Sequence, residues 1–97
     1  MSYPNEGWKN KGGTSDRNAP GGSWKEYWIS KSTEPWPSTC RIKGCSLEAT
    51  DGAHMYCSSV DMKEWIVPTC HSHNVTAGEY ELKPGTHIVS ANVSDTK

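Results

Sequence analysis

The sequence predicts a small α+β domain held together by a bound metal ion rather than by the size of its core. Three observations lead there. The chain has 97 residues, room for one domain. Only 33% of them are hydrophobic, Phe is absent, and the large apolar groups are five Trp and four Tyr. Such a core stabilises a fold only marginally, so a staple is expected. Third, Cys40, Cys45, Cys70 and His73 fall as C-x4-C and C-x2-H around two strand-like runs, which is metal-ligand spacing.

Residues 1–22 are rich in Gly, Asn, Ser and Pro and read as a flexible arm, with Trp8 the one group able to lie against the domain. Ser23-Trp24-Lys25-Glu26 has the form of a capping box. Trp24, Tyr27 and Trp28 then recur at helical spacing, and Lys31 continues the stripe with its aliphatic stem. The spacing predicts a helix over 24–31 whose aromatic face packs on the rest of the domain. Pro35 and Pro37 end it and lead extended chain into Cys40.

Cys40–Cys45 is a knuckle, and Gly44 supplies the turn before the second thiol. Gly52–Cys57 alternates, with His54 and Tyr56 on one face and Met55 and Cys57 on the other. Trp65-Ile66-Val67 is a second run, and Ser58–Glu64 reads as the hairpin loop between them. Thr69 is the expected N-cap of a brief helix over Cys70–Val75. Glu79–Leu82 and His87–Val93 read as a terminal strand pair around the turn Lys83-Pro84-Gly85-Thr86. The expected organisation is an arm (1–22), a metal-binding domain (23–93) and a tail (94–97).

Thiolate and imidazole ligands in fours suit tetrahedral Zn²⁺. The order of knuckle, hairpin, then two ligands at a helix start is that of a treble clef. His71 competes with His73 for the fourth position, and the i, i+3 spacing from Cys70 favours His73. Cys57, in mid-strand, reads as a small buried apolar residue. Disulfides are the alternative, with three pairings open to four cysteines. Without a basic start and an apolar run after Met1, no signal peptide is visible. No stretch approaches the roughly 18 apolar residues of a membrane span. A cytoplasmic location with reduced, metal-binding thiols is the expectation. The net charge is −1, with no basic stripe for duplex phosphates.

Cys40…Cys45, Gly52-Ala53-His54, then Trp65 through Asn74 together resemble the HNH endonuclease, or ββα-metal, superfamily over residues 40–75. The resemblance implies that His54 is the general base for water attack on a phosphodiester. It implies that Asn74 is a ligand for a catalytic Mg²⁺ or Mn²⁺, and that His73 replaces a zinc-binding Cys. Two positions depart from the family. Ala53 stands where a metal-binding Asp is usual, Asp51 beginning only in the preceding turn, and Trp65 stands where an Asn is usual. His54 therefore has a second reading, as a structural residue or substitute zinc ligand, and Asn74 a second reading as a helix terminator.

Three functions follow as expectations. One is a degenerate zinc-binding module for a protein or nucleic acid partner. Another is an HNH-type nuclease using His54 and Asn74. The third is a small phage or mobile-element inhibitor protein.

Overall fold

The computed structural model describes residues 4–10, 24–57, 59–60, 63–76 and 78–91. The expected cap Ser23, the 94–97 tail and most of the 1–22 arm lie outside them. Strands β1 (Trp8–Asn10), β2 (Asp51–Cys57), β3 (Trp65–Thr69), β4 (Glu79–Tyr80) and β5 (Val89–Ser90) and helices α1 (Trp24–Lys31) and α2 (His71–Val75) make an α+β fold. The five strands form one sheet in the order β4-β1-β2-β3-β5, every neighbouring pair antiparallel.

The β2 alternation splits the core in two. Ala53, Met55 and Cys57 join Trp8, Val67, Cys40, Cys70 and Leu82 on one face. Ile66, opposite His54 in the ladder, meets Tyr27, Trp28 and Val89 on the other. Both faces of the central strands are covered, so β3 is buried beyond Trp65, and β2 is buried at Ala53–Met55 and Cys57. The aromatic stripe of α1 does what its spacing predicts: Tyr27 and Trp28 are each 1% exposed. Trp24 stands edge-on to the His54 ring, centroids 4.2 Å apart.

Gly52 permits this docking. A Cβ there would lie 2.7 Å from the Trp24 carbonyl carbon and 2.8 Å from the Lys25 nitrogen. Pro68, its ladder partner, sits where the outer neighbour β5 has already stopped, since β5 pairs only with Trp65 and Ile66. The missing N–H therefore leaves no gap in a ladder.

Three elements differ from expectation. Residues 8–10, read as part of a flexible arm, form β1, an interior strand between β4 and β2. Trp8 carries it into the sheet: the ring is 1% exposed and its Nε1 donates to the Pro4 carbonyl at 2.9 Å. The terminal strands do not pair with each other, because β4 and β5 lie on opposite edges of the sheet. The segment joining them instead runs beside the knuckle, with Leu82 bridged to Ile42. Thr69 does not cap α2. It is the last residue of β3, paired with Asp51, so it stays extended and Cys70 takes the N-cap position without a side-chain cap bond.

Candidate metal centre

The knuckle is a small hairpin. The Cys40 N–H donates to the Leu47 carbonyl at 2.8 Å, the Ala49 N–H to Ser38 at 3.1 Å, and the Cys45 N–H to Ile42 at 3.0 Å. Gly44 closes the turn at φ +86°, a conformation that a side chain would strain. The C-terminal chain clips the knuckle from outside: Lys43 N–H donates to Glu81 at 2.7 Å and Lys83 N–H to Arg41 at 2.8 Å. Cys70 arrives at the end of β3, and one turn of α2 brings round His73.

These four residues converge. The sulfurs of Cys40, Cys45 and Cys70 and a His73 ring nitrogen all lie within 4.8 Å of one another. Cys45 Sγ is 3.9 Å from Cys70 Sγ, and His73 Nδ1 is 3.3 Å from Cys70 Sγ and 3.6 Å from Cys40 Sγ. A zinc tetrahedron with its usual bond lengths has edges of about 3.8 Å between sulfurs and about 3.6 Å between sulfur and nitrogen. The donor set and its spacing thus fit such an ion. All four cysteines are free, and no sulfur pair approaches the roughly 2.05 Å of a disulfide.

The surroundings act oppositely on the two knuckle thiols. Burial pushes the Cys40 thiol up to about 11, although the N–H groups of Ile42 and Cys70 pull against it. For Cys45, burial again raises the pKa, but the Leu47 N–H, the neighbouring sulfurs and the Lys83 ammonium outweigh it, so the thiol sits below its ordinary value. Lys83 is anchored there, its Nζ donating to the Cys45 carbonyl at 2.6 Å and lying 3.4 Å from Thr39 Oγ1. Three thiolates and one neutral imidazole would leave one net negative charge around a Zn²⁺ ion held here, and this ammonium would offset it. His73 is fixed from outside by Tyr80, edge-on at 5.0 Å, and by Asn10, whose Nδ2 donates to the His73 carbonyl at 2.6 Å and to Thr76 at 2.8 Å. Nothing in the spacing of Lys83, Tyr80 or Asn10 marked them; only the folded chain brings them to the centre.

His71 is not in the cluster. Its side chain is 73% exposed and its Nδ1 lies 2.8 Å from Asp51 Oδ2. Asn74 Nδ2 donates to the same oxygen at 2.9 Å, and Thr50 Oγ1 to Oδ1 at 2.9 Å. Burial raises the Asp51 pKa, but the hydrogen bonds from His71, Asn74 and Thr50 more than reverse that and hold the carboxyl below its usual range. Asp51, expected in the turn before the strand, is instead the first residue of β2 and converges on α2. His54 does not. Three residues further along a strand, it faces the other side of the sheet, where it is 3% exposed beneath Trp24. His54 and Asn74 do not share a cleft. Cys57 is fully buried outside the cluster, its Sγ 3.4 Å from the Glu6 carbonyl.

No helix among the described residues is long and apolar enough to cross a membrane. Comparison with protein-family models, with curated proteins and with solved structures gives no match. What marks the centre as a candidate metal site is its own geometry: three sulfurs and one imidazole nitrogen within 4.8 Å of one another, a set compatible with zinc.

Proposed function

We propose that the protein is a zinc-stapled binding module, a degenerate HNH-type domain with a treble-clef-like order of knuckle, hairpin and helix. Its metal is structural. One observation carries this reading: four possible ligands of the chain itself lie within 4.8 Å of one another, and together they would fill a tetrahedral zinc site with no open position for water or substrate. The burial of His54 supports it, because an imidazole sealed under Trp24 does not reach a phosphodiester. The balanced charge favours a protein partner over duplex nucleic acid.

A second reading, metal-dependent phosphodiester cleavage, is favoured by the Asp51–Asn74 pair. It places a carboxylate beside the Asn where the family resemblance offered only Ala53. Elemental analysis and a plasmid-nicking assay separate the two. The binding-module reading expects one zinc per chain and no nicking with Mg²⁺ or Mn²⁺. Nicking by the parent that disappears in Asp51→Asn would replace it with the second reading.

A further inference from the structure

The three sulfurs of the cluster are not equally sheltered. Cys40 and Cys70 are buried, at 0% and 4% exposure, whereas Cys45 is half-buried. The turn just before Cys45 borders open space, since a Cβ added at Gly44 would meet nothing within 4 Å. Cys45 is thus the thiol that a small solute reaches first. Lys83 is anchored at the same residue, its Nζ donating to the Cys45 carbonyl at 2.6 Å. That ammonium stabilises an anion expelled beside the knuckle.

Cys45 also has a second thiol close by. Its Sγ is 3.9 Å from that of Cys70, so the two must approach by about 1.9 Å to reach a disulfide bond length. Both ends have room to yield. Helix α2, which follows Cys70, buries none of its five residues and has no side-chain cap bond. Gly44 turns the chain at the other end without a side chain. Cys40 is held more firmly: its N–H is bonded to Leu47, and its neighbour Thr39 is bridged to Glu48.

We propose that the centre is a redox switch as well as a staple, in which hydrogen peroxide attacks Cys45 and Cys70 resolves the product to a disulfide that releases the metal. This deepens the binding-module reading and rests on it. In the first step the Cys45 thiolate attacks peroxide. An S–O bond forms, the O–O bond breaks, hydroxide leaves and Cys45 becomes a sulfenic acid. In the second step the Cys70 thiolate attacks that sulfur. The S–S bond forms, the S–O bond breaks and a second hydroxide leaves. Two thiolates have given two electrons to peroxide, and solvent protonates both hydroxides to water. Only Cys40 and His73 then remain for zinc, half of the set a structural site needs. The module is thereby switched off under oxidation and restored by a thiol reductant and zinc.

The test uses the full chain, with its zinc content measured first. A stoichiometric amount of hydrogen peroxide is added, released zinc is followed with a coloured chelator against a peroxide-free control, and disulfides are located by peptide mapping. Zinc release should match formation of a Cys45–Cys70 link mole for mole, Cys57 should stay reduced, and dithiothreitol with added zinc should restore the starting state. Brief treatment of the zinc-loaded protein with iodoacetamide should modify Cys45 about tenfold faster than Cys40 or Cys70. A chain without zinc at the outset would overturn the metal reading and this switch with it. A zinc-loaded chain that keeps its metal under peroxide, forms a Cys40–Cys45 or intermolecular link instead, or shows equal labelling of the three thiols would overturn the switch alone. Every arm uses the parent protein, so the result does not depend on a cysteine variant folding.

Discussion

Stripping the metal should unfold most of this domain at room temperature. The ligands join three segments: the knuckle, the end of β3, and α2. Helix α2 has five residues, buries none of them, and has no side-chain cap. A helix that short has no independent stability in water, so its position depends on Cys70 and His73. Cys40 and Cys70 are also part of the main core cluster, so releasing their sulfurs loosens the packing around Trp8 and Met55. Structural zinc in small domains contributes about 10–16 kcal/mol of apparent binding free energy near neutral pH. The net stability of a chain this long is about 5–15 kcal/mol, so the metal accounts for most or all of it. The assay is thermal melting by circular dichroism before and after chelation, with metal content measured on the same samples. The stripped protein should show no cooperative transition above 25 °C, and Cys70→Ser should behave alike. Acid should act in the same direction, because Cys40 holds its proton up to about 11 without metal. Zinc must expel that proton, so affinity should fall by about tenfold or more per pH unit on the acid side. A melting curve unchanged in demonstrably metal-free protein would refute the reasoning.

Two further outcomes follow from the packing. Gly52→Ala drives a Cβ against the Trp24 backbone, which cannot swing aside as a side chain would. It should cost about 1–3 kcal/mol and lower the melting temperature by about 4–8 °C for each of them, read by calorimetry. Asp51 has a depressed folded-state pKa, so its contribution is complete above the ordinary value of 3.8 and is lost as pH falls through the lower folded value. Acid titration of Asp51→Asn against the parent should show the parent's advantage present at pH 6 and shrinking below about pH 4.

The centre was largely legible because its logic is local. A C-x2-H run puts two ligands on one helical turn, and C-x4-C with Gly44 closes a knuckle whatever lies elsewhere. Helix α1 and strands β2 and β3 were legible for the same reason, since each carries its own periodicity. What stayed hidden depended on long-range pairing. Trp8–Asn10 is three residues with no alternation to detect, and it is a strand only because β2 and β4 flank it. The partners of β4 and β5 followed from the sheet order, which a turn motif between them does not specify. Likewise Asp51 and His54 looked adjacent along the chain, but a strand turns residues three apart to opposite faces, sending one to α2 and the other under α1.

The position of β1 bears on how the chain assembles. Both neighbours of β1 lie far along the chain from it, so loops of several tens of residues must close before it can pair. Such distant pairings slow the search for the native topology relative to a helical protein of equal size. Trimming the first ten residues would therefore not shorten a tail; it would pull out a middle plank and leave β4 with nothing to lean on.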